Sequence, residues 1–111
     1  MKLPDFLMAL PSLDVPFPAD VVESRAMRTE DALLVFFIFH KAFELPPHAH
    51  KAQWGTVLQG EIKLTIAGQS RVYGPGDSYD IPSGAEHSGQ IQAGTIVIDV
   101  FEEPDRYPVI R

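Results

Sequence analysis

Short segments of β-forming residues, separated by tight turns, fill residues 21–101 of the chain. In the segment 62–67, apolar residues alternate with charged and hydroxyl residues, which is the two-residue period of a strand with one buried face. Gly60, Gly68 and the run Gly74-Pro75-Gly76 mark turns between such segments. Many short strands joined by glycine and proline turns, without a convincing helix, are typical of an all-β sandwich or barrel.

One segment, residues 32–40, is apolar on both faces. A strand with one face in water should alternate, so we expect both faces to be covered. One face would line the barrel, and the other would meet the N-terminal arm or a partner subunit. The predicted strands are 21–27, 32–40, 43–46, 53–58, 62–67, 70–73, 78–81, 87–92 and 95–101.

The first 20 residues contain four prolines, Pro4, Pro11, Pro16 and Pro18. Proline has no N–H to donate, so this density excludes both a long helix and a paired strand. Apolar residues spaced between the prolines favour an extended arm that docks, with room for one helical turn. The chain therefore divides into an arm at 1–20 that packs on the barrel or a partner, a barrel at 21–103 and a tail at 104–111.

The amino-acid composition limits the classes of function that the chain can have. The 111 residues suffice for one domain, and there is no cysteine, so any metal must be held by nitrogen and oxygen ligands. The net charge is −6 with the basic residues scattered, which argues against a nucleic-acid partner. The longest apolar run, residues 32–39, is far shorter than the roughly 20 residues that span a bilayer. With no signal-peptide core at the N-terminus, these features predict a cytoplasmic protein without a membrane partner.

Three histidines form a metal-binding pattern. His48 and His50 are two residues apart, which places both imidazoles on one face of an extended segment. His87 follows the Pro82–Gly84 turn, and Gln53 opens the next strand after His50. Imidazole nitrogen binds Fe, Mn, Ni, Cu and Zn, and three such ligands leave positions open for water or substrate. A neutral Gln53 oxygen would leave the metal's +2 charge uncompensated, which favours an anionic or enolate-like substrate.

The spacing of these residues resembles the two cupin motifs. The run from His48 to Gly60 resembles the first motif, except that Gln53 stands at the glutamate position and follows His50 unusually closely. The second motif fits from Gly76 to His87 at every fixed position, and Ile91 replaces its final asparagine. The chain looks like a small single-domain bacterial cupin with an RmlC-like jelly-roll barrel, a double-stranded β-helix. The resemblance implies one divalent transition metal at His48, His50, Gln53 and His87, and a homodimer.

Three functions remain open from the sequence. The first is a metal-dependent enzyme, such as a dioxygenase, isomerase or decarboxylase, acting on a small organic acid or enol, with no obvious protein base within reach. The second is a non-catalytic sensor that holds a small ligand, and the third is a relic with an empty cavity. We interpret His40 as a structural or surface residue and Trp54 as a packing or interface residue, while Tyr79 fits either the core or the cavity wall.

Overall fold

The protein is described by a computed structural model that covers residues 1–110. The last residue of the predicted tail, Arg111, lies outside the described residues. The elements in chain order are α1 (Asp5–Met8), β1 (Ser12–Leu13), β2 (Val22–Arg28), β3 (Leu33–Phe39), β4 (Phe43–His48), β5 (Gln53–Gln59), β6 (Ile62–Ile66), β7 (Gln69–Tyr73), β8 (Ser78–Ile81), β9 (His87–Ile91), β10 (Ile96–Phe101) and β11 (Val109–Ile110).

Two antiparallel sheets enclose the core. One has five strands in the order β2-β3-β10-β5-β8, and the other has four in the order β4-β9-β6-β7. Side chains from both sheets meet in one buried cluster that includes Leu33, Val57 and Leu64. Two sheets that share one apolar interior form a sandwich, closed here as a jelly roll. The predicted all-β class and barrel are therefore confirmed.

Strand β3 is buried on both faces, as its sequence predicts. Val35 and Phe37 belong to the core between the sheets, whereas Phe36 lies in a second cluster with Leu3 and Ile96. Leu3 belongs to the N-terminal arm, so the arm covers the part of the outer face of this strand around Phe36. Removing these apolar side chains from water, at about 25 cal/mol per Å², provides the free energy that docks the arm.

Helix α1 is a single turn, as the proline spacing allows. It begins after Pro4, whose carbonyl oxygen accepts hydrogen bonds from the N–H groups of Leu7 and Met8. No helix in residues 1–110 is both long enough and apolar enough to cross a membrane.

The prediction that the arm contains no paired strand is wrong. Ser12 and Leu13 pair antiparallel with Ile110 and Val109. The strand Ser12–Leu13 lies between Pro11 and Pro16, so its pairing requires no hydrogen bond from a proline nitrogen. Leu13 is buried, and its N–H donates to the side-chain oxygen of Ser24 at 3.0 Å. The spacing of the prolines excludes a longer paired strand, but it leaves room for two paired residues.

The C-terminal tail contributes to the core, although its sequence is mostly polar. Tyr107 is buried, with its ring centroid 5.8 Å from that of Phe101 and 6.4 Å from that of Phe37. The aromatic side chain therefore joins the core between the two sheets, to which both of these rings belong.

Strand β4 runs two residues further than predicted. Its pairing with β9 shifts register between Leu45 and His48, across Pro46 and Pro47. Prolines are tolerated here because β4 is an edge strand of its sheet. The extension places His48 directly opposite His87.

The β5–β6 turn depends on Gly60. Its φ is +86°, a left-handed conformation that side chains disfavour. A Cβ at this position would also overlap the side chain and backbone of Thr95. Both constraints require glycine at this motif position.

Candidate metal centre

The three predicted histidines come together at one end of the barrel. His48 ends β4, His50 follows in the connection to β5, and His87 begins β9. The ring centroid of His87 lies 4.1 Å from that of His48 and 4.7 Å from that of His50. One possible ligand nitrogen from each ring lies within 4.8 Å of the others. Because two nitrogens at about 2.1 Å from one tetrahedral ion lie about 3.4 Å apart, the rings must approach one another by at most about 1.4 Å to form a three-nitrogen cap.

Backbone carbonyls fix the tautomer of all three rings. The Nδ1 atom of His48 lies 2.9 Å from the carbonyl oxygen of Pro46, that of His50 lies 2.7 Å from Lys51 O, and that of His87 lies 2.9 Å from Ala85 O. A carbonyl oxygen only accepts hydrogen bonds, so each Nδ1 must carry the proton. In the neutral ring, Nε2 then has the free lone pair that a metal ligand requires.

Two of these Nε2 atoms are buried without a hydrogen-bond partner. They belong to His50 and His87, and they have no partner among residues 1–110. An unsatisfied buried nitrogen costs about 1–3 kcal/mol. A metal ion bound at the cap would satisfy both nitrogens at once.

The pKa values of two rings are held down. Burial lowers the pKa of His87 to about 4, with a smaller contribution from the neighbouring His48 and His50. Burial also lowers the pKa of His50, and the charges of Arg106 and His48 add to the effect. Both rings are neutral at pH 7, which is the form that binds metal.

Gln53 lies beside the histidine cluster at the start of β5. Its side chain lines the same cavity as His48 and His87. On the neighbouring strands it pairs with Phe101 and Ile81. The fold thus brings Gln53 next to the histidines, and its role as the fourth ligand remains a prediction.

The cavity also contains a carboxylate that the sequence analysis missed. Asp99 is buried in β10 and lines the cavity with Gln53. It accepts a hydrogen bond from the Tyr79 hydroxyl at 2.6 Å, and the Gln53 side chain lines the same cavity from the neighbouring strand. Burial raises the pKa of Asp99 to about 6, and the polar side chains of Tyr79 and Gln53 oppose that rise.

Tyr79 is therefore a cavity residue as well as a core residue. Its phenol is buried, and burial together with the charge of Asp99 raises the pKa of Tyr79 well above its ordinary value. The hydroxyl stays protonated and serves as a donor to Asp99.

An arginine from the tail lies near the rim of the site. The positive charge of Arg106 contributes to the lowered pKa values of His50 and His87. Its Nε atom is buried and lacks a hydrogen-bond partner in the described part of the chain. A cleft of about 200 Å³ lies here, with His48, Arg106 and Tyr107 on its walls. No motif in the sequence marks this arginine, because only tertiary packing brings the tail to the histidines.

Two glutamates that directly precede the tail bind the segment between His50 and Gln53. Glu103 accepts a hydrogen bond from the Lys51 N–H at 2.8 Å, and Glu102 accepts one from the Ala52 N–H at 3.2 Å. These contacts fix the segment between His50 and Gln53 against the residues that precede Arg106.

The remaining sequence candidates lie outside the cavity. His40 is exposed, and its Nε2 lies 2.8 Å from the Glu23 carboxylate. Trp54 is 45% exposed on the outer face of β5. These placements agree with a surface role for His40 and with a packing or interface role for Trp54.

Comparison with known proteins identifies the fold family. The family model described as "Cupin domain" matches residues 35–100. An RmlC-like cupin from Shewanella frigidimarina is 26% identical, with a TM-score of 0.75 over 89% of this chain and 87% of that chain. KdgF from Halomonas sp. is also 26% identical, with a TM-score of 0.70 over 81% of this chain and 83% of that one.

A larger protein shares the fold at lower identity. Oxalate decarboxylase from Bacillus subtilis, studied for its Mn(II) centres, is 23% identical with a TM-score of 0.65 over 81% of this chain and 28% of that chain. No curated protein matches the sequence. Since the family model spans more than half of the chain, this protein belongs to the cupin domain family.

Proposed function

We propose that this cupin binds one divalent transition metal through the Nε2 atoms of His48, His50 and His87, with the Gln53 side-chain oxygen as the fourth ligand. The observation that carries the proposal is a cluster of three imidazoles whose Nδ1 atoms are all bonded to backbone carbonyls, so that the Nε2 atoms are the ones available to a metal. The ligand set contains no thiolate, so it suits Fe, Mn, Ni, Cu or Zn. The Mn(II) centres of oxalate decarboxylase support a metal in a barrel of this fold.

We propose further that the site acts on a small organic acid or enol. When bound, the metal would serve as a Lewis acid toward an anionic oxygen of that substrate. Arg106 lines the cleft beside the cluster, and a guanidinium suits a carboxylate because it offers paired N–H groups. The aromatic rings of Phe101 and Tyr107 beside the cavity exclude water from one side of the substrate.

Metal analysis of protein purified without a His tag tests the binding site. The wild type should carry about one equivalent of metal, and His48→Ala and His87→Ala should carry much less. The matched control is His40→Ala, which removes an exposed imidazole paired with Glu23 and should leave the metal content unchanged. Equal metal content in the wild type and both cluster variants would refute the metal site.

Activity separates an enzyme from the binding module that the sequence also allows. Small carboxylic acids and enols can be incubated with the loaded protein and followed by NMR. Turnover that stops when the metal is chelated would support the enzyme. Saturable ligand binding without turnover would establish the non-catalytic alternative instead.

We also propose that the protein forms a homodimer through the outer face of the five-stranded sheet. Met27, Leu34, Val100 and Trp54 form one cross-strand row over four neighbouring strands. The two end members, Met27 and Trp54, are each 45% exposed. Sedimentation as a monomer at micromolar concentration would refute the dimer. A cytoplasmic location remains a prediction from the sequence.

A further inference from the structure

A buried carboxylate in a mostly apolar barrel requires an explanation. Asp99 is 5% exposed, and none of the ion pairs within residues 1–110 includes it. Burying a carboxylate without a cation is costly for stability, and apolar side chains occupy most of the neighbouring inward positions. The Tyr79 hydroxyl donates a hydrogen bond to Asp99, and the Gln53 side chain lines the same cavity.

The sheet is built to allow these contacts. Asp99, Gly55 and Tyr79 are direct neighbours across β10, β5 and β8. A Cβ on Gly55 would overlap both the Asp99 carboxylate and the Tyr79 ring. The missing side chain therefore lets the phenol cross β5 and reach Asp99. Gln53 lies two residues before Gly55, so its side chain emerges on the same inner face.

The Gln53 and Asp99 side chains share one inner face on neighbouring strands, so a hydrogen bond between them would determine which way the Gln53 amide faces. A carboxylate accepts hydrogen bonds and has none to donate, so in such a bond the NH₂ group of Gln53 points toward Asp99. The amide oxygen then points away from Asp99 and is free to bind a metal. With the Tyr79 hydroxyl on Asp99 as well, the carboxylate itself is held in place.

We propose that Asp99 is a positioning residue of the metal centre, which orients the Gln53 oxygen toward the ion and supplies the negative charge that Gln53 lacks. This inference rests on the proposed metal site with Gln53 as a ligand. The chain resembles cupins that have a glutamate at the position of Gln53. In this chain the carboxylate belongs to Asp99, which lies behind the Gln53 ligand. It still attracts the ion, and the ligand itself stays neutral.

The test measures Zn²⁺ affinity of apoprotein by competition with a chromophoric chelator, and the visible absorption of the Co²⁺-loaded protein. Asp99→Asn should weaken Zn²⁺ binding about 10- to 100-fold, as losses of outer-sphere partners do at metal sites. Its Co²⁺ spectrum should also change, because the Gln53 oxygen would no longer be held in one orientation. Neither readout depends on turnover.

The double variant Gln53→Glu/Asp99→Asn distinguishes positioning from a purely structural role. It moves the carboxylate onto the ligand and places an amide behind it, so donor and acceptor exchange places. Zn²⁺ affinity should return to within a fewfold of the wild type. A double variant that binds no better than Asp99→Asn would overturn the proposal, as would an Asp99→Asn variant with wild-type affinity and spectrum.

Two further variants keep the test decisive. Should Asp99→Asn fail to fold, Tyr79→Phe removes the phenol hydrogen bond from the same carboxylate. The Zn²⁺ affinity of Tyr79→Phe should fall measurably, but by less than tenfold. An unchanged affinity together with an unchanged Co²⁺ spectrum would count against positioning. His87→Ala reports on the metal site itself. If His87→Ala loses Zn²⁺ while Asp99→Asn keeps it, the positioning role fails and the metal site stands. If His87→Ala binds like the wild type, the proposed metal site fails.

Discussion

The two ends of strand β9 lie in opposite environments. At one end His87 faces His48, with Gln53 and Asp99 on the other sheet. At the other end Ile91 lies between Phe43 and Ile62, and the ring of Phe43 packs against Phe39 and Phe17. The aromatic end is held by apolar burial, which has no direction. The histidine end is held by hydrogen bonds that leave particular atoms unsatisfied, so we expect the two ends to contribute separately to stability and to binding.

The largest effect on stability is expected at the aromatic end. Phe39→Ala deletes a buried ring and should lower the free energy of unfolding by about 3–5 kcal/mol. Urea denaturation measures this loss. Zn²⁺ affinity at the histidine end should stay close to the wild-type value, and a parallel loss of affinity would show that the two ends are coupled.

Metal should stabilise the protein through the histidine end alone. At a free Zn²⁺ concentration of 100 times the dissociation constant, linkage predicts a gain of about 2.7 kcal/mol. Thermal unfolding with and without Zn²⁺ measures it. An equal gain in Phe39→Ala and no gain in His87→Ala would support stabilisation by metal through the histidine end alone. Stabilisation of His87→Ala to the wild-type extent would contradict it.

A smaller effect is expected within the polar end. Tyr79→Phe leaves the buried Asp99 carboxylate with one donor fewer and should cost about 1–3 kcal/mol in the absence of metal. The comparison is made by urea denaturation of both apoproteins. An unchanged midpoint and slope would mean that water replaces the phenol hydroxyl.

The smallest effect is expected outside the barrel. His40→Ala breaks an exposed pair with Glu23 and should change stability by less than about 1 kcal/mol, with no change in metal affinity. The same denaturation and metal analyses apply. A large loss of metal in this variant would mean that histidine content, rather than the cluster geometry, determines binding.

The barrel and the histidine cluster could be predicted because both depend on local patterns. Strand alternation and turn glycines identify the elements, and the spacing of His48 and His50 places two imidazoles together. Asp99 could not be assigned in the same way, because Ile96–Phe101 is apolar on both faces. Alternation then gives no indication of which face the single carboxylate occupies.

The tail was missed for a different reason. Tyr107 and Arg106 belong to a polar segment whose role depends on contacts with Phe37, Phe101 and the histidines. The pairing of Ser12–Leu13 with Val109–Ile110 was missed as well, because neither segment has a strand pattern of its own. The two segments form strands only when the folded barrel brings them next to each other.

The pairing of β1 with β11 has a consequence for the order of folding. It joins segments nearly a hundred residues apart, so it closes the longest loop in the described chain. Closing such a loop costs more chain entropy than forming the β2–β3 or β6–β7 hairpin. We therefore expect the terminal pair to form last. During folding, His48, His50 and His87 would then meet before the segment bearing Arg106 is docked, so metal capture would precede completion of the rim.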